Sequence, residues 1–266
     1  MDRFFKTAVR RGMPALVLAA SAIGALSPAQ ATLLPQSWNG YHWAHTGNLA
    51  IMIGNNASAA WAPYLTAAET KWSADKYIDY LPMAGRTTAS SCGAVYGTVQ
   101  VCSSNYGATG WLGYTQVWTS GTQIIQATIK LNDYYFSMPK YNTAAFHAQV
   151  ACQEMGNALG LDDFDRIYTN TNAGTCMDYT NDPTGTKGTN GTLANIGPNG
   201  TDISRLDAIY AIKDSTQLVF TKPGMFGNAQ AVAGAVPEPA SWMTMIAGFL
   251  GLGLSLRRRR KAAAPA

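Results

Sequence analysis

Two apolar runs bracket the chain, and they confine whatever folds to the residues between them. Arg3, Lys6, Arg10 and Arg11 precede the first run, Met13 to Leu26, and Ser27-Pro28-Ala29-Gln30-Ala31 follows it. A basic start, a short apolar stretch and small residues at Ala29 and Ala31 are the features of a secretory signal cleaved after Ala31. The second run, Ala240 to Leu256, follows Val236-Pro237-Glu238-Pro239 and is closed by Arg257, Arg258, Arg259, Arg260 and Lys261. A helix needs about 17 to 25 apolar residues to cross a bilayer, so this run lies at the short end of a span. Its basic cluster would stay cytoplasmic, which puts the middle of the chain outside. The expected organisation is a signal peptide over 1–31, one folded domain over 32–221, a Gly/Ala-rich linker over 222–235 and a sorting or transmembrane segment over 236–261.

The tail resembles the PEP-CTERM sorting signal of Gram-negative bacteria. Pro237-Glu238-Pro239, the apolar run and the arginine cluster occur in that order at the C-terminus. The resemblance implies an exosortase-type sorting enzyme as partner. It also implies a cell-envelope or extracellular location with membrane anchoring, at least for a time. Charge fits this division. The formal net charge is +4, from 19 basic and 15 acidic residues. Taking away the nine basic and two acidic residues of the two ends leaves ten basic against thirteen acidic, near −3. The basic balance therefore belongs to the ends, no basic patch with interleaved aromatics stands in the middle, and no nucleic-acid partner is expected. The four cysteines, Cys92, Cys102, Cys152 and Cys176, all lie in the exported part. An oxidising compartment favours two disulfides among three possible pairings.

Between the ends the pattern is mixed. Leu49 to Ile53 reads as a short strand ended by Gly54-Asn55-Asn56. Trp61, Leu65, Ala68 and Trp72, spaced three and four apart, predict a helix over 58–72. Val95 to Cys102 alternates as a strand. Tyr114 to Trp118 and Gln123 to Leu131 flank Thr119-Ser120-Gly121-Thr122 as a hairpin. A second helix is expected over 143–159, stopped by Gly160, and a third over 202–213. Residues 170–200 are dominated by Asn, Thr, Gly and Pro and read as loop.

The second helix carries the chemistry. It contains Gln153-Glu154-Met155-Gly156-Asn157-Ala158-Leu159-Gly160-Leu161-Asp162-Asp163. Ligands at i and i+4 on a helix face one metal ion, a glutamate beside the first can take a proton from metal-bound water, and a glycine lets the chain turn to supply a third ligand. Asp162, Asp163, Asp165 and Asp178 offer another oxygen-rich group, but their spacing fits no calcium loop. His147 is out of phase with this face, His42 and His45 lie three apart near the domain start, and all three are expected to pack or lie at the surface.

Together with Gly174-Thr175-Cys176-Met177-Asp178-Tyr179 downstream, this segment resembles the metzincin clan of metallopeptidases, and more closely a family of secreted bacterial metzincin-like proteins. The matching pieces run from about residue 40 to 213. The resemblance implies an α+β metzincin-like (zincin) catalytic-domain fold: a twisted mixed sheet with an active-site helix, a Met-turn at Met177 and Tyr179, and a C-terminal helix. It also implies that Cys152 beside the site helix pairs with Cys176 next to Met177, leaving Cys92–Cys102 as a local loop. The resemblance further implies that Gln153, Asn157 and Asp163 hold the three ligand positions and Glu154 the general-base position, so no ligand position keeps a histidine. Two amides and one carboxylate are weak zinc donors beside imidazole or thiolate, so no cofactor is expected. The implied function is a non-catalytic, peptidase-like domain that binds peptide or envelope components. The alternatives are an active metalloendopeptidase with zinc in an atypical site, and a structural matrix or biofilm protein associated with exopolysaccharide.

Overall fold

A computed structural model describes residues 37–186, 191–214 and 230–237. The signal peptide and the apolar run 240–256 lie outside these residues. No described helix is long and apolar enough to cross a membrane.

The architecture is a mixed sheet with helices packed on it. The strands are β1 (His42–Trp43), β2 (Leu49–Asn56), β3 (Ile78–Ala84), β4 (Thr98–Ser104), β5 (Trp111–Ser120), β6 (Gln123–Asn132) and β7 (Gln230–Pro237). The helices are α1 (Ala62–Trp72), the short α2 (Asp133–Phe136), α3 (Ala144–Ala158) and α4 (Gly200–Tyr210). The sheet runs β3-β2-β4-β6-β5-β7. From β3 to β6 the neighbours are parallel, and β5 is antiparallel to both β6 and β7. β1 pairs in parallel with Gln123 and Ile124, at the start of β6, below the point where β4 begins its own pairing at Ala127.

Strand patterns report which faces are covered. In β2, Leu49, Ile51 and Ile53 are buried while Met52 is 47% exposed, so one face meets the core and the other does not. β4 is buried on both faces. Val99 and Val101 join the main core, and Gln100 and Cys102 on the other face are covered by the segment before the strand, where the Arg86 N–H donates to Gln100 Oε1 and Cys92 is bridged to Cys102. Each fully buried aliphatic chain of this kind contributes about 1.5–3 kcal/mol.

α3 runs through the middle of the domain, and from Gln149 to Ala158 every residue is buried. A helix leaves its last carbonyls without partners. Here rings from three different places reach the last turn, and a fourth reaches one turn further in. Tyr80 OH donates to Met155 O at 2.8 Å, Trp43 Nε1 to Ala158 O at 2.8 Å and Tyr210 OH to Leu159 O at 2.8 Å, while Trp72 Nε1 donates to Cys152 O at 2.9 Å. The end itself is a Schellman turn: Gly160 N–H donates to Asn157 O and Leu161 N–H to Gly156 O. Gly160 sits at φ +89°, and a Cβ there would lie 1.9 Å from Tyr41 O, so no other residue fits.

Several sequence expectations need correction. The strand expected over 95–102 begins at Thr98 and continues to Ser104. β5 starts at Trp111, three residues before the expected Tyr114. α4 begins at Gly200 because Asn199 and Asp202 form a capping box, and it stops at Tyr210. β3 carries no sequence signal strong enough to be expected, since Pro82 interrupts it. The linker expected over 222–235 is corrected in part. Gln230–Pro237 is strand β7, paired with β5 along its length; an uncharged, unbranched-to-β-branched sequence there can complete an otherwise open sheet edge. Residues 222–229 lie outside those described.

Candidate functional site

α3 presents two different polar faces. Gln149, Gln153 and Asn157, spaced four apart, form one buried stripe turned toward the irregular segment that follows the helix. Gln149 Nε2 donates to Asp178 O at 3.2 Å, and Gln153 Nε2 donates to Asp163 Oδ1 at 2.9 Å. Glu154 sits beside this stripe and turns toward β5. Thr115 Oγ1 lies 3.0 Å from the Glu154 carbonyl oxygen and donates to Glu154 Oε2. Glu154 is fully buried.

The structure therefore brings Gln153 and Asp163 together and sets Asn157 one turn further along the same stripe. Asp163 already has partners at both oxygens. Oδ1 accepts from Gln153, and Oδ2 accepts from Arg166 Nε at 3.0 Å. Arg166 also reaches Asp162 Oδ1 at 3.1 Å. Burial pushes the Asp163 carboxyl above its usual range, and the Gln153 and Arg166 contacts only partly offset this. Gln153 Oε1 and Asn157 Oδ1 are buried acceptors with no hydrogen-bond donor. Among the described residues no three His, Cys, Asp or Glu side chains cluster closely enough to share an ion.

Met177 and Tyr179 lie under the helix. Met177 is fully buried, and a Cβ on Gly156 would come 2.5 Å from its Sδ, so the glycine is what lets the methionine approach α3. Tyr179 is buried as well, and its hydroxyl is pushed far above the usual phenol range by burial and by the Asp163 carboxylate beside it. The disulfide Cys152–Cys176 fastens the helix to this turn, and Phe164 N–H donates to Met177 O at 2.6 Å.

The other candidate groups sit elsewhere. His147 packs among Trp61, Phe136 and Tyr64, with ring centroids 4.4–4.9 Å away, and burial lowers its pKa. His42 Nε2 lies 3.3 Å from Asp214 Oδ1, and His45 Nδ1 lies 2.8 Å from Gly47 O. The four aspartates split into two groups. Asp162 and Asp163 face Arg166, whereas Asp165 and Asp178 bridge to each other. Asp178 Oδ2 accepts from Ala173 N–H and from Asn195 Nδ2, both at 2.8 Å, and burial pushes its carboxyl up to about 6.

Two residues that matter were not singled out in the sequence. Arg166 stands three residues after Asp163, a spacing that suits a local ion pair, so Asp-Asp-Phe-Asp-Arg held a usable signal. Thr115 lies 39 residues from Glu154 and had none.

No family model matches the chain, and no curated protein matches it. Among solved structures it is similar to high choriolytic enzyme 1, a hatching-enzyme zinc-protease from Oryzias latipes (medaka fish). That likeness has 12% identity and a TM-score of 0.37, over 65% of this chain and 94% of the other.

Proposed function

We propose that this chain is an exported, envelope-anchored domain of metzincin-like build that binds extended peptide without cutting it. One observation carries the reading. Of the three side chains at the ligand positions, only Asp163 can supply a charge, and its two oxygens are taken by the Gln153 amide and the Arg166 guanidinium. A zinc ion would have to displace the Arg166 guanidinium to reach a carboxyl that burial has already made harder to ionise. It would gain in return two neutral amide oxygens, which are poor zinc donors. These residues do not fit zinc.

What the site can offer is acceptors. Gln153 Oε1 and Asn157 Oδ1 are buried and lack donors, which costs free energy until an N–H or O–H reaches them. An extended peptide carries such groups at every residue. The tail motif supports anchoring through the run 240–256 and recognition by an exosortase-type enzyme. The same two orphan oxygens favour a second reading, an oxygen-rich site for a metal in a working endopeptidase with Glu154 as general base.

Metal analysis of the full chain purified without chelators separates the two. The expected result is well under one zinc per chain in the wild type. The triple variant Gln153→His, Asn157→His, Asp163→His is expected to approach one zinc per chain, because the scaffold spacing is that of a helix-borne site. Stoichiometric zinc in the wild type, with peptidase activity lost in Glu154→Gln, would overturn the non-catalytic reading.

A further inference from the structure

Through residue 132 the chain builds a sheet whose outermost strand is β5, with a ten-residue edge. An open edge of that length exposes a row of unpaired N–H and C=O groups and invites another strand. The chain fills it with its own C-terminal segment. β7 pairs antiparallel with β5 from Thr119 opposite Gln230 to Trp111 opposite Pro237, with one irregularity between Trp111 and Gly113. β7 also comes against α3. The edge it covers is the one whose Thr115 holds Glu154, so the strand lies along the border of the site described above.

The sequence of β7 suits replacement better than permanence. Gln-Ala-Val-Ala-Gly-Ala-Val-Pro has no charged or aromatic residue. Alanine and glycine are poor strand formers, and Gly234 adds a backbone entropy cost. The main-chain bonds that pair it with β5 are ones any extended peptide can reproduce. Its advantage is tethering: a segment joined to the domain competes at an effective concentration on the order of millimolar.

We propose that residues 230–237 are a resident stand-in for a peptide ligand. They close the β5 edge while docked and open it to an extended peptide from another molecule when the tail is drawn away. This rests on the peptide-binding reading above and adds its regulation: the sorting tail and the binding edge compete for one strand position.

Hydrogen exchange on the full chain, combined with a labelled peptide of sequence 230–237, tests it. The variant Ala233→Pro/Gly234→Pro removes two adjacent N–H groups, and adjacent groups point to opposite edges, so one ladder bond is lost whatever the phase. In this variant the edge amides of 111–119 are expected to exchange at least roughly tenfold faster than in the wild type, while those of β4 stay unchanged. The labelled peptide is expected to bind the variant at least roughly tenfold more tightly. A second variant, Gln116→Cys/Ala233→Cys, joins directly opposed residues and is expected to capture no peptide. Equal exchange at 111–119 in wild type and proline variant would overturn the proposal, as would capture by the cross-linked variant. Equal peptide capture by wild type and proline variant would sink the strap and leave the peptide-binding reading standing. An opened edge that takes no peptide at millimolar concentration would overturn both.

Discussion

α3 stands between two neighbours of opposite character. On one side α1 and the sheet bring Trp72 and Ile129 into one core with Val150 and Met155 of the helix, and the contact is a matter of volume. On the other side, residues 161–186 and 191–199 meet it with almost no regular structure. That layer is held by side chains bonding backbone: Asn172 Nδ2 to Asp182 O and Leu193 O, Asn195 to Asp178 and Gly174, and Arg205 to Asp162 O. α4 is fastened to it by Thr175 Oγ1, which donates to the Asp202 carboxylate that Arg205 pairs with inside the helix. A packed side tolerates chemical change but not loss of volume, whereas a bonded side tolerates small changes of volume but not loss of a donor. The candidate site lies on the bonded side.

That contrast can be broken in four ways. The largest effect is expected from Trp72→Ala, which empties a fully buried indole site and removes a donor to Cys152 O; a loss of about 4 kcal/mol in urea unfolding is expected. A loss below about 1 kcal/mol would mean the two sides are alike. Next, Cys152→Ala/Cys176→Ala unties the bonded side from the helix and should cost about 3 kcal/mol, with faster proteolysis confined to 161–199. Proteolysis that starts in the sheet instead would show that the disulfide serves the whole fold. Asn195→Ala keeps the packing but strips donors from Asp178 and an acceptor from Gly174, and about 2 kcal/mol is expected from the same unfolding measurement.

The smallest effect is in pH. The folded state holds a proton on Asp178 up to about 6, while the unfolded chain releases it near 3.8. The group therefore favours folding at low pH, and its contribution fades as pH rises from about 4 to about 6. Asp178→Asn should flatten that slope in stability curves measured across the window. A slope of opposite sign in the wild type would mean that Asp178 is ionised and stabilised by its donors.

The two sides also differ in how far they could be read from sequence. α3 was expected over 143–159 and spans Ala144–Ala158, because a capping threonine and a terminal glycine are local signals. The hairpin around Gly121 was legible for the same reason, and both disulfides follow the expected pairing. The bonded side was legible only as loop. Its order comes from donors and acceptors meeting across 10 to 43 residues, and nothing in composition encodes which asparagine meets which carbonyl. At the site, the ligand positions could be picked out by spacing. The guanidinium that closes Asp163 and the hydroxyl that holds Glu154 appear only once the chain is folded.

Strand β7 also fixes how far the domain can stand from a surface. If the run 240–256 lies in a bilayer as proposed, a docked β7 leaves only the step from Pro237 to Ala240, roughly 10 Å of chain, between globule and lipid. With the strand released, the chain from Asp214 to Ala240 could stretch to the order of 80 Å. The same eight residues would then set both whether the edge is free and whether the globule hugs its membrane or ranges several of its own radii into the surroundings.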